Sequence, residues 1–264
     1  MMMLRISTVG LAAALALSPA PSGAIVGGTT VADGEMPWVA AIYNSASPEA
    51  GQFCGGSLVA PRVVVTAAHC VTLLLDDTLA QLPVDILDLK VKVMLGRTRL
   101  GGTGGEQIAV ARLHRHLSAP INDVAVLVLA EASSIAPVAY ARPADAAFFA
   151  PGAIATIAGW GATSEGGSGS DRLLKASVSV MTDGRCADVY GPEYNGASMV
   201  CAGDPQGGTD TCQGDSGGPL TVAGPGGAPL LAGATSFGRG CGRADSPGVY
   251  AEIAAVADFL AQYA

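Results

Sequence analysis

The chain has 264 residues with 14 Lys+Arg against 22 Asp+Glu, and its formal net charge of −8 argues against nucleic acid as a partner. Hydrophobic residues make up 50%, charged residues only 14%, and there are 36 glycines, so a disordered chain and a helical one both fit poorly and a β-rich, loop-rich globular protein fits well. This length suits one large domain or two small ones, each with ample core.

Taken in chain order, residues 1–24, MMMLRISTVGLAAALALSPAPSGA, have a secretory layout. Arg5 supplies the positive charge, residues 9–17 the apolar run, and Ser22-Gly23-Ala24 a small-x-small cleavage site. The run is too short to span a bilayer, so it reads as a removed signal and not as an anchor, and nothing later looks like a membrane span. The expected organisation is a signal peptide over 1–24 and a single exported domain over 25–264. Short apolar runs bounded by Gly, Pro, Asn and Asp then recur at 38–43, 57–59, 63–66, 91–95, 124–129, 153–158, 176–180, 230–235 and 248–253. Their lengths and β-branched content predict strands, and their spacing predicts an all-β barrel or sandwich. Residues 72–88 have helical character and read either as a surface insertion or as a strand plus loop. Residues 101–105 and 163–170 (TSEGGSGS) read as flexible loops. Val256, Phe259 and Leu260 give 254–263 the period of a short amphipathic closing helix. Six cysteines remain: Cys54, Cys70, Cys186, Cys201, Cys212 and Cys241. An even number after an export signal implies disulfides, with 15 pairings open; no CxxC pair points to a metal.

The stretch DTCQGDSGGPL, residues 210–220, holds Ser216 among three glycines. A hydroxyl becomes a nucleophile only beside a base and near donors for a developing oxyanion. Glycines let the backbone turn sharply enough to aim N–H groups, here those of Gly214 and Ser216, at one point. A plain Gly-rich turn is the duller reading. For the base there are three histidines. His69 lies in TAAHC after an apolar run, whereas His114 and His116, in RLHRHLS, read as a solvated surface. A carboxylate that fixes the base's tautomer is available at Asp123, which opens the apolar run of INDVAVLVL. At the edge of a buried strand such a group is costly unless partnered, although a turn-forming Asp is the alternative.

TAAHC, NDVAVL and GDSGGP, in that order, resemble the chymotrypsin/trypsin serine endopeptidases, and IVGG (25–28), AGWG (158–161) and PGVY (247–250) match as well. The resemblance runs from Ile25 to the end of the chain. It implies two six-stranded antiparallel β-barrels with a C-terminal α-helix and a site in the cleft between the barrels. It implies that Ser216 attacks the peptide carbonyl, that His69 takes and returns the proton, and that Asp123 holds the imidazole. It also implies the disulfides Cys54–Cys70, Cys186–Cys201 and Cys212–Cys241.

In the trypsin branch of this family the position of Asp210 is the floor of the primary specificity pocket, which implies cleavage after Arg or Lys. Thr211, Ser236, Phe237, Gly238 and Gly248 fall at pocket-wall positions. Phe237 departs from the usual Trp and leaves the subsite preferences open; Ser236 matches a residue that supports the triad Asp. Asp215 matches the acid that pairs with the free amine of the mature N-terminus, here Ile25. Ala24 precedes it in place of the usual basic activation residue, so export and activation are expected to be one cut, with a cut after Ala20 as the competitor. Arg97 stands where a calcium ligand of the family is expected, and no metal or other cofactor is predicted. The implied partners are protein or peptide substrates and proteinaceous inhibitors, for a secreted monomer resembling a bacterial trypsin. Two further readings stay open: an inactive binding module on the same fold, and an enzyme selective for apolar residues.

Overall fold

The computed structural model describes residues 25–44, 51–72, 91–116, 118–119 and 121–264. The signal segment and all but the first residue of the 72–88 segment lie outside the described residues. The strands in chain order are β1 (Thr29–Thr30), β2 (Val39–Asn44), β3 (Gln52–Ala60), β4 (Val63–Thr66), β5 (Val91–Leu95), β6 (Glu106–Arg115), β7 (Ala125–Leu129), β8 (Ala139–Tyr140), β9 (Ile154–Gly159), β10 (Leu174–Val180), β11 (Met199–Gly203), β12 (Pro219–Ala223), β13 (Pro229–Phe237) and β14 (Gly248–Glu252). Among the described residues the α-helices are α1 (Ala68–Thr72), α2 (Asp183–Tyr190) and α3 (Ala257–Leu260).

Two closed antiparallel barrels result. The first runs β2-β3-β4-β7-β6-β5 and closes through the β2–β5 pairing. The second runs β9-β10-β11-β14-β13-β12 and closes where Leu220 pairs with Ile157. Two short strands add to it: β1 lies along β10, and β8 pairs in parallel with β13. Each barrel fills its own core, with Leu58, Val64, Leu95 and Leu127 in the first and Ile157, Val178, Leu220 and Tyr250 in the second.

The near-continuous apolar runs of β4 and β7 have a simple cause. Val64 and Leu127 point into the first barrel, while Val63, Val65 and Val126 point outward into a second apolar layer with Leu231, Ala234, Ala251 and Leu260. Strands buried on both faces lose the alternation that marks a half-exposed strand. This shared layer joins the barrels and seats α3, and it fixes where the ends of β4 and β7 point.

All nine predicted runs lie on strands, with β3, β10 and β13 longer than expected. Five strands, α1 and α2 were not predicted. In β6, Ile108, Val110 and Leu113 are buried between more exposed neighbours, and a register shift between Val110 and Arg112 breaks the period. His114 and His116 are corrected as well. They are half-buried rather than solvated, with His114 stacked on Tyr263 at 4.4 Å and His116 edge-on to Phe259 at 5.1 Å. The closing segment is a 3-10 turn over Ala254–Val256 followed by α3, shorter than the predicted helix. The three disulfides join Cys54 to Cys70, Cys186 to Cys201 and Cys212 to Cys241. Disulfides of this kind typically contribute roughly 2–4 kcal/mol each.

Candidate active site

Thr66 ends β4 and α1 begins two residues later, which puts His69 at the rim of the first barrel. Asp123 sits just before β7, the partner of β4, so the register Thr66–Ala125 brings the two side by side. The Asp123 carboxylate accepts the His69 backbone N–H at Oδ1 (2.8 Å), and its Oδ2 lies 2.7 Å from His69 Nδ1. Ser236, near the end of β13 in the second barrel, donates its hydroxyl to the same Oδ2 at 2.5 Å. Burial alone would raise this carboxyl's pKa. The bonds from His69 and Ser236 and the imidazole's charge outweigh that and hold it below the ordinary aspartate range. With Asp123 accepting at Nδ1, the imidazole presents Nε2 as its other nitrogen, and the His69 side chain keeps 40% of its surface exposed.

Ser216 lies on the loop leading into β12. Its carbonyl accepts the Gly55 N–H of β3 at 2.7 Å. The Cys70 sulfur stands 3.9 Å from His69 Nε2 and 3.6 Å from the same Ser216 carbonyl oxygen, so imidazole and serine flank one disulfide. No hydrogen bond joins Ser216 Oγ to the imidazole among the described residues. The glycines around it are sterically required. A Cβ on Gly217 (φ +76) would sit 2.2 Å from Thr66 Oγ1, and one on Gly55 would sit 2.9 Å from Gly218 Cα. The barrels therefore meet backbone to backbone directly behind the serine. Gly214 has φ +96, and its carbonyl accepts the Gln52 side-chain amide at 2.6 Å. Gln52 was not legible as a site residue, because one polar residue before FCGG carries no pattern of its own.

Asp215 is fully buried, and its carboxylate accepts N–H groups from Gly161 (2.8 Å) and Cys212 (2.9 Å). Burial pushes its pKa up to about 7 despite those bonds, with the nearby Asp210 charge adding to the rise. Gly159 and Gly161 leave room for it: a Cβ on either would fall within 2.5 Å of the carboxylate. Ile25 is fully buried in the second core with φ +62, and the next residue, Val26, forms a β-bridge with Asp210. In the intact chain the Ile25 nitrogen is a peptide amide.

A pocket of about 200 Å³ opens beside Ser216, with Asp210, Thr211, Ser236, Phe237, Gly238 and Gly248 among its lining residues. The Asp210 carboxylate accepts from Thr211 N at 2.8 Å and Gly242 N at 3.0 Å, and burial pushes its pKa up to about 6 against those bonds. Gly248 stands against it, since a Cβ there would sit 2.9 Å from Asp210 Oδ1 and 3.1 Å from the Tyr250 hydroxyl. Tyr250, the last residue of PGVY, approaches Thr211 Oγ1 at 3.4 Å beneath the pocket. A second, more apolar groove shares Ser236, Phe237 and Gly238 with the pocket and continues past His69, Ile121 and Tyr190. Phe237 packs edge-on to Tyr190 at 5.4 Å and walls both spaces.

A groove lined by both barrels thus brings an imidazole–carboxylate pair and a serine turn to the two sides of one disulfide. The trypsin family model matches residues 25–260. A trypsin from Saccharopolyspora erythraea is 44% identical over 89% of this chain and 96% of its own. Trypsin-1 from Astacus astacus is 37% identical over 89% and 98%, and trypsin eta from Drosophila erecta 35% over 93% and 92%. The chain belongs to the trypsin family of serine proteases. It is a serine endopeptidase, and proteins are its substrates.

Proposed function

We propose that the protein is a secreted endopeptidase that cleaves after Arg and Lys through a Ser216–His69–Asp123 triad. The observation that carries the selectivity is a buried carboxylate, Asp210, lining a narrow pocket beside Ser216, bonded to the Thr211 and Gly242 N–H groups and to the Thr211 side chain, with no cation paired to it among the described residues. A guanidinium or ammonium entering the pocket neutralises an anion that is otherwise unfavourably buried, whereas an apolar side chain leaves it unpaired. Ser216 is the nucleophile; His69 moves the proton from it to the leaving amine; Asp123, held also by Ser236, fixes the imidazole's tautomer and steadies the imidazolium. The N–H groups of Gly214 and Ser216 serve the tetrahedral oxyanion. Every one of these groups comes from one chain, so a monomer suffices. A cleavage profile of a peptide library by the mature protein tests the reading: cuts confined to Arg and Lys are expected, and frequent cuts after apolar residues overturn it.

Asp210 gives the selectivity a pH dependence. Its raised pKa means that the free pocket is ionised above about pH 6 and neutral below. The ratio of kcat/KM for an arginyl substrate to that for its neutral citrulline analogue cancels the titration of the catalytic groups. This ratio is expected to be flat above pH 7 and to fall about tenfold per unit below pH 6 until the neutral pocket no longer discriminates. A ratio that stays flat to pH 4 assigns the selectivity elsewhere.

Maturation at Ile25 follows the same logic. A cut after Ala24 creates an α-ammonium on a residue that is fully buried beside the Val26–Asp210 bridge. Paired with Asp215, that cation relieves the buried carboxylate and orders the turn through Gly214. Active protein recovered from the medium is expected to begin IVGG. A sequence beginning at Pro21 would show that export and activation are separate steps.

A further inference from the structure

An enzyme that cleaves after Arg and Lys meets its own basic residues in every neighbouring copy, and this inference rests on the reading above. Of the 14 Lys and Arg, 12 lie among the described residues. Their following peptide bonds differ sharply in accessibility. Lys92, Arg112, Arg115 and Lys175 are inside β5, β6 and β10, where the chain is already paired on the ladder. Arg62, Arg172 and Arg185 are exposed, but Val63, Leu173 and Cys186 after them are buried. Arg97, Arg99 and Arg239 are each followed by a half-buried residue. Arg142 is followed by Pro143, whose ring and missing N–H make it a poor leaving group in this chemistry. The loop 163–170, TSEGGSGS, is long and exposed but offers no basic residue.

One bond remains. Arg243, Ala244 and Asp245 are all exposed, and their turn is weakly tied, with Ser246 N to Arg243 O at 3.3 Å and Asp245 N to Pro205 O at 3.4 Å. Asp245, a non-glycine residue, holds φ +61, a conformation whose strain local opening relieves. Side chains restrain the site as well: Arg185 Nη2 pairs with Asp245 Oδ1, and the Arg243 guanidinium itself grips Glu165 on loop 163–170, Nε to Oε2 at 2.7 Å and Nη2 to Oε1. While that fork is made, the guanidinium cannot enter another copy's pocket.

We propose that Arg243–Ala244 is this protein's self-cleavage site and that Glu165 guards it. The reaction is intermolecular, because Gly242 is bonded to Asp210 of its own pocket and the segment cannot reach into that pocket. The C–N bond between Arg243 and Ala244 breaks. Ser216 of the attacking copy forms the acyl ester, water hydrolyses it to the Arg243 carboxylate, and the Ala244 nitrogen takes up the proton as a new α-amine. No cysteine follows Cys241, so denaturation releases residues 244–264 without reduction.

The test uses folded Ser216→Ala protein as the target and a trace of active enzyme as the protease, with fragments followed by N-terminal sequencing. The expected first internal N-terminus is Ala-Asp-Ser-Pro. Adding Glu165→Gln to the target is expected to speed that cut by roughly 1.4- to 5-fold, the range an exposed ion pair supports. An earlier cut at any other bond, an intact target, or a rate indifferent to Glu165 overturns the proposal if the same enzyme hydrolyses a free arginyl amide. If the amide itself is untouched, the Arg/Lys reading fails first and this inference with it.

Discussion

Ser216→Ala is expected to lower kcat by about 10⁶-fold while leaving substrate affinity nearly unchanged, as a change confined to the transition state should. The hydroxyl has no packing role that alanine fails to meet, because the turn is held by backbone contacts: Gly55 N to Ser216 O, and Gly218 N to Asp215 O at 2.8 Å. His69→Ala should cost a similar factor, and the double variant little more, because the two act as one unit. Asp123→Asn should cost less, about 10⁴-fold, by favouring the wrong imidazole tautomer. Single-turnover kinetics and labelling by a fluorophosphonate read these effects. Retention of a tenth of wild-type kcat in the alanine variant removes Ser216 from the chemistry.

The second large effect concerns Asp210→Ser, for which kcat/KM toward arginyl substrates is expected to fall by about 10⁴-fold or more, with the guanidinium left buried and unpaired. Labelling of Ser216 by a small acylating reagent should persist, because among the described residues the Asp210 carboxylate accepts from Thr211 and Gly242 and shares no hydrogen bond with Asp123 or the Gly214 turn. This split separates a pocket residue from one that shapes the machinery. Unchanged preference for Arg and Lys would refute the assignment of Asp210 to the selectivity pocket.

Much of this was legible in the residues. β4 and β7 declared themselves because burial on both faces writes an unbroken apolar run into the sequence. His69, Asp123 and Ser216 stood out because their local contexts were dense in glycine or apolar residues, where a lone polar side chain needs a reason. β6 stayed hidden because its bulge breaks the period and arginines and histidines alternate with its core residues. Helix α2 was missed although Thr182 caps it, accepting from Arg185 N at 3.2 Å, because its mean hydropathy is low and only one edge is buried. Gln52 and Tyr250 act through contacts distant in sequence, to Gly214 and Thr211, which no local pattern encodes. The packing of His114 and His116 under α3 was hidden for the same reason.

The division of the apparatus between two barrels also has a temporal side. His69 and Asp123 are synthesised in the first half of the polypeptide, whereas the turn carrying Ser216 and the strands β12 to β14 emerge from the ribosome later. A chain that stops before residue 216 therefore carries the imidazole and the carboxylate without the serine turn.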